Sequence, residues 1–349
     1  MNILLLLAHS IEEHDQLKLL SGLGYDVFSI GGYIDPRSPH DPKRPALPDV
    51  PFHPELKAVV DGLGTADNLR AAKDRIPDAL IEWADTIIVH HFEHTWIVGN
   101  WERIKHKRVI WRTVGQSVEH NERMMAPYHR AGLEIVRYSP KERNIPGYAG
   151  EDALIRFYKD PAEWNGWIGD DPKVINFTQS LYQREPYTNY RFWELATEGL
   201  PREAMGPGSE AIGGRGEQTP AEMLDSLRHA RAYLYTGTQP ASYTLGLIEA
   251  MMVGIPVVSI GPSWMRVFPY GPDLFEGHEL AVNWADDPGT AAAELRHYLV
   301  SSAEAERDSA FIRQRAIDLF GMDAIGRQWA DYLGGPRIEF STARETVTA

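Results

Sequence analysis

Tyr235-Thr-Gly-Thr-Gln-Pro-Ala-Ser-Tyr-Thr-Leu-Gly-Leu-Ile-Glu-Ala-Met-Met-Val-Gly-Ile-Pro-Val-Val-Ser-Ile-Gly261 reads as the end of a strand, a small polar turn, a helix, a Gly-Ile-Pro break and a second strand. Ser242, Tyr243 and Thr244 sit where the helix is expected to begin, and Leu245 follows them. Unpaired N–H groups and the positive end of the helix dipole face outward at such a start, which suits an anion such as a diphosphate. Glu249 lies about one and a half turns further in. Gly254 is expected to end the helix, and Pro256 enters the next strand before a ladder hydrogen bond is needed. By pattern alone the stretch is also an ordinary strand–turn–helix unit of a Rossmann-like sheet.

The same grammar repeats outward. Residues 2–8 form an apolar run that reads as a buried parallel strand, 11–20 as a helix stopped by Gly22 and Gly24, and 25–30 as a second strand. This is a βαβ opening, whose crossover is expected to be right-handed. Further strands are predicted at 86–90, 108–113, 133–139, 173–178, 202–206, 231–235 and 278–284, with helices between most of them. Thr219-Pro220 supplies an N-cap and a first helical proline. The glycines after the second strand do not form a GxGxxG fingerprint, so no dinucleotide site is read there. Residues 35–54, rich in Pro, Asp and Arg, read as a long irregular loop beside a cleft.

At 349 residues the chain fits two domains better than one. It has no cysteine, which excludes disulfides, thiolate catalysis and cysteine zinc sites and is compatible with the expected cytoplasmic location. No apolar run approaches the ~20 residues of a membrane span. The formal net charge of -14 disfavours non-specific nucleic-acid binding. Ten Trp and fifteen Tyr are many for this length, and they serve packing or stacking on sugars and bases.

The opening stretch resembles the nucleotide-sugar site of the GT-B glycosyltransferases, most closely the retaining family 4 type. That family carries a Glu, seven residues, a second Glu, then Ala, small residues and Gly-x-Pro-Val-Val. Glu249-Ala250, Gly254 and Pro256-Val257-Val258 match; Ala241 stands in place of the first Glu. The resemblance implies an α/β fold of two Rossmann-like domains facing a central cleft. Residues 1–157 would bind the acceptor and 158–335 the nucleotide sugar, with terminal helices packing back on the first domain and 336–349 a polar tail. It implies that Glu249 binds the ribose hydroxyls, that Ser242, Tyr243, Thr244 and Leu245 seat the diphosphate, and that Ser180 and Arg184 face it from the exit loop of the strand at 173–178. There the family has an Arg and a Lys, and Arg184 is the one cation. The first Glu touches the donor sugar in the family, so Ala241 leaves the sugar open.

The implied activity is transfer of a hexose from a nucleoside-diphosphate sugar, a UDP-sugar first, to an acceptor hydroxyl, with retention and with neither metal nor cofactor. A binding protein without turnover and a GT-B nucleotide-sugar epimerase are the alternatives. On the acceptor side, His9 and Ser10 follow the first strand. His90-His91-Phe92-Glu93-His94 leaves another strand at its carboxyl end, where open α/β sheets bind ligands. Alternation along a strand points neighbours apart, which disfavours a metal there. His91, Glu93 and His94 are therefore candidates for acceptor binding or acid–base work. Gln116 is nearest to where the family often has a His close to the sugar, with His120 after it. Asp170-Asp171, before a proline, reads as a turn. Lipid, glycan, small molecule, protein and modified nucleobase all remain open as acceptors, as does oligomeric state.

Overall fold

The computed structural model describes residues 1–7, 9–41, 43–63, 75–90, 94–115, 117–261, 263–264 and 283–334. Two parallel sheets organise it. The first has the order β2-β1-β3-β4-β5-β6. Its strands are β1 Asn2–Leu6, β2 Asp26–Ser29, β3 Thr86–His90, β4 Arg108–Arg112, β5 Glu134–Arg137 and β6 Ala153–Leu154. The second has the order β11-β10-β9-β7-β8. It is built from β7 Asp171–Phe177, β8 Arg202–Met205, β9 Ala230–Tyr235, β10 Val257–Ile260 and β11 Asn283–Ala285.

The connecting helices are α1 Ser10–Gly22, α2 Pro54–Asp61, α3 Asp78–Trp83, α4 His94–Ile104, α5 Glu119–Arg130, α6 Tyr190–Ala196, α7 Pro220–His229 and α8 Leu245–Val253. After β11 come α9 Pro288–Val300, α10 Ser302–Phe320 and α11 Arg327–Leu333.

Both faces of the first sheet are covered, which is why its strands read as continuous apolar runs. Ile3 and Leu5 of β1 enter one core with Ile88 and Ile110, while Leu4 and Leu6 enter the other with Ile87, Val89, Val109 and Trp111. That split is the two-residue period of a strand. Trp329 and Leu333 of α11 complete the first of these cores, so the last helix returns to the sheet formed by the start of the chain. Arg108 fastens it by donating to the Tyr332 carbonyl at 3.0 Å while pairing with Glu134 at 2.8 Å.

Local chemistry sets the helix ends. Thr219 and Glu222 form the expected capping box on α7. Gly254 ends α8 at φ 98°, a left-handed conformation that disfavours a side chain.

One difference from the sequence reading, the additional strand β6, has a physical cause. β6 is two residues long, too short for any periodicity, and lies in a segment rich in Pro and Gly. The 278–284 strand is described only from Asn283 onward. Arg112 and Arg137, which lie within the strands expected at 108–113 and 133–139, are fully buried. Arg137 forms a two-pronged pair with Glu122 at 2.7 Å on both oxygens, and Arg112 donates to the Ile155 and Arg156 carbonyls at 2.5 and 3.1 Å.

Candidate active site

α8 begins three residues later than Ser242. Thr244 is its N-cap, with Oγ1 accepting from the Leu247 N–H at 3.3 Å. The Leu245 and Gly246 N–H groups, in the first turn, have no intrahelical acceptor. Leu245, Gly246 and Glu249 line a cavity of about 480 Å³ between the carboxyl ends of the two sheets. His9, Ser10, Asp41, Lys43 and Arg44 form the facing wall, and Thr178, Gln179 and Pro207 close it on the side of β7 and β8.

Ser242 and Tyr243 are corrected by this geometry: they are buried, not presented to the cavity. The Ser242 N–H donates to Tyr138 Oη and Tyr243 Oη donates to the Tyr138 carbonyl, both at 2.9 Å. Tyr243 stands edge-on to Tyr138 and Phe157, with ring centroids 5.1 and 5.6 Å away. These contacts join the turn before α8 to the first half of the chain. The anion-facing part of the turn is therefore shifted to Leu245 and Gly246.

Glu249 is 1% exposed and its side chain reaches the cavity wall. Two cations converge on its Oε1: Arg44 Nη2 at 2.5 Å and Lys159 Nζ at 2.6 Å. Lys159 Nζ also lies 2.6 Å from Asp15 Oδ2, and His14 Nδ1 lies 3.1 Å from Asp15 Oδ1. Burial alone would lower the Lys159 and Arg44 pKa values and raise that of Asp15. The opposite charges reverse each shift, so both cations titrate above, and Asp15 below, their ordinary values. Arg44 and Lys159 were not singled out from sequence. Arg44 lies in the 35–54 loop read as bordering a cleft, and Lys159 beside the domain boundary.

The 35–54 loop reaches the site because its root is fixed. Glu13 of α1 accepts from Ser29 Oγ at 2.6 Å, the Gly32 N–H at 2.8 Å and the Tyr33 N–H at 2.9 Å. A Cβ at Gly31 would collide with that carboxylate. Burial still outweighs the three donors and pushes Glu13 up to about 7.

His9 caps α1, its Nδ1 accepting from the Glu12 N–H at 3.4 Å. While Nδ1 accepts, the proton of the neutral ring is on Nε2, which makes the free edge a donor. The ring is open to the cavity, yet crowding by the walls, aided by Lys159, lowers its pKa. Ser10 shares this wall.

The structure thus brings together Leu245, Glu249, His9 and Ser10, with Thr244 capping the helix beneath them. It does not bring Arg184 to them. Arg184 lines a separate cavity of about 460 Å³ with Gln183, Tyr187 and Gln239. Ser180 and His94 are outside the wall of the Glu249 cavity. The Ser180 backbone, at φ 54°, donates to the Pro207 carbonyl, and His94 starts α4. His91, Glu93 and Gln116 lie outside the described residues. Among the described residues no group of three or more His, Asp or Glu side chains is placed to hold a metal ion. Asp170 pairs with His229 at 2.7 Å on the surface. No described helix is long and apolar enough to cross a membrane.

No protein-family model and no curated protein matches the chain. Solved structures do. A sucrose-phosphate synthase from Thermosynechococcus elongatus is similar over 96% of this chain and 98% of its own, at 14% identity and a TM-score of 0.64. Anabaena HepE in complex with UDP and glucose is similar over 95% and 99%, at 12% identity and a TM-score of 0.65. An alpha-glucosyltransferase in complex with UDP-glucose and DNA containing an abasic site is similar over 95% and 99%, at 11% identity and a TM-score of 0.63. At such identities the likeness concerns architecture: two parallel-sheet α/β domains around a cleft, the GT-B fold of these glycosyltransferases.

Proposed function

We infer that the protein is a hexosyltransferase that moves a sugar from a nucleoside diphosphate to an acceptor hydroxyl, with retention and without a metal. The observation that carries this reading is one cavity holding a helix N-terminus and, a turn further in, a carboxylate. The Leu245 and Gly246 N–H groups suit a diphosphate, and Glu249 Oε2, the oxygen not taken by the cations, suits a ribose hydroxyl. Lys43, on the facing wall, adds a half-exposed cation whose contact to Asp41 is a long 3.9 Å. It serves the phosphates in the role expected of Arg184. Fixed donors aimed at a departing diphosphate stabilise the charge that develops there, which is the part of glycosyl transfer this site can supply. The two sheets, spanning residues 2–154 and 171–285, support a domain boundary near residue 158.

UDP-glucose is the donor to try first, since two of the similar structures hold UDP with glucose or UDP-glucose. DNA as acceptor has less support, given the net charge of -14. The second reading is a binding protein of the same fold without turnover. It is favoured by Ala241 in place of the first motif Glu and by the two cations on Glu249. A thermal-shift panel of UDP-, GDP-, ADP- and TDP-sugars, followed by donor hydrolysis without acceptor, separates them. A raised melting point with released free sugar supports the transferase. A raised melting point with no released sugar, with or without acceptors present, favours binding alone. An altered sugar points to an epimerase.

A further inference from the structure

Arg44 belongs to the first half of the chain, yet its guanidinium is 205 positions from the carboxylate it grips. It is 4% exposed, and Lys159 and Glu249 are nearly inaccessible. Asp15, Lys159, Glu249 and Arg44 form a line of alternating charge, two negative and two positive, crossing from α1 to α8. The Trp164 ring lies beside both cations, 5.1 Å from the Arg44 guanidinium and 5.6 Å from Lys159 Nζ. A buried carboxylate left unpaired is costly, whereas this one is held from two directions. Because both cations converge on Oε1, Oε2 is the oxygen that remains to accept from a ligand. The cavity of about 480 Å³ exists with this contact made, and Arg44 is part of its wall. Arg44 therefore lines the site.

We propose that Arg44 is a positioning residue for nucleotide recognition: it acts through Glu249, fixing the carboxylate so that Oε2 meets the ribose, and it makes ribose recognition depend on the seating of the 35–54 loop from the opposite domain. This rests on the nucleotide reading of the same cavity and adds to it a residue that closes the site across the cleft. Arg44 is assigned no contact with the reacting atoms. Its effect is on binding, confined to ligands that carry ribose hydroxyls.

The test has two arms. In the first, UDP and 2′,3′-dideoxy-UDP are titrated calorimetrically into wild type and Arg44→Met. UDP is expected to bind the variant about tenfold more weakly, the scale of a charge-assisted hydrogen bond, with the dideoxy analogue unchanged. Equal weakening of both ligands makes Arg44 a general structural element and overturns the proposal, as does tighter binding of UDP, which makes it a plug. The second arm needs no ligand. Backbone amide exchange over residues 38–47 is compared in wild type and Glu249→Gln. Faster exchange in the variant is expected if the loop is held by that carboxylate, and equal exchange overturns the proposal even if Arg44→Met does not fold. Wild type that binds no nucleoside diphosphate overturns the nucleotide reading and the positioning role with it. Wild type that binds UDP, with Arg44→Met binding it equally well, overturns the positioning role alone.

Discussion

Replacing Lys159 by methionine removes one charge from a buried set of four and changes little in shape. Lys159 Nζ sits 2.6 Å from both Asp15 Oδ2 and Glu249 Oε1, with no solvent exposure. Its loss leaves two buried carboxylates and one cation, Arg44, with His14 the remaining partner of Asp15. Breaking a buried pair in this way costs about 3–5 kcal/mol. With an unfolding entropy of about 2.1 cal/mol/K per residue, 349 residues give about 0.7 kcal/mol/K, so the melting point should fall by about 4–7 °C near neutral pH.

The pH dependence follows from Asp15. In the native protein its pKa lies below the ordinary value, because Lys159 and His14 more than offset the effect of burial. That depressed carboxyl contributes stability above its unfolded pKa of about 3.9, and the contribution is lost as pH falls through the native value. In Lys159→Met, burial acts unopposed by Lys159, so Asp15 takes up a proton at a higher pH than in wild type. The variant's deficit should therefore be full at neutral pH and narrow as the pH is lowered towards about 4. Melting curves of both proteins by circular dichroism at several pH values measure this. A melting point within about 1 °C of wild type, or a deficit independent of pH, would refute the reasoning.

Three other outcomes follow. Glu249→Gln should weaken UDP binding by about 1 kcal/mol, seen by calorimetry, the difference between a charge-assisted and a neutral acceptor. Tyr243→Phe should cost about 1 kcal/mol of stability, by loss of the hydrogen bond to the Tyr138 carbonyl, and leave the donor KM unchanged; a raised KM would return Tyr243 to the donor site. Gly254→Ala should destabilise by about 1–3 kcal/mol, since φ 98° is disfavoured for alanine and the new Cβ would lie 3.0 Å from Ser309 Oγ. An unchanged melting point would show that the helix end can relax.

The parts of this fold legible in the sequence are those specified by neighbours. Apolar runs such as residues 3–6 and 87–89 announced strands buried on both faces, and Thr219-Pro220 and Gly254 announced helix ends. The start of α8 was harder, because Ser242 and Thr244 are both good N-caps and local chemistry does not choose between them. The choice is made by Tyr138 and Phe157, about a hundred positions away, which draw Tyr243 into a shared aromatic cluster. The burial of Arg112 and Arg137 is set in the same way, by partners that are not their neighbours in sequence, the Ile155 carbonyl and Glu122. At the site, Glu249 was visible from its motif, whereas Arg44 and Lys159 became visible through contacts 205 and 90 positions long. Arg184 had the expected position in the chain but faces another cavity, because its loop bends away after Ser180.

The central claim is that a nucleoside diphosphate lies between the first turn of α8 and Glu249, and a crystal structure of the protein with UDP tests it most directly. The account predicts a phosphate oxygen within about 3 Å of the Leu245 or Gly246 nitrogen and a ribose hydroxyl on Glu249 Oε2. UDP seated instead beside Arg184 and Gln239, or a cleft still empty at saturating UDP, would contradict it.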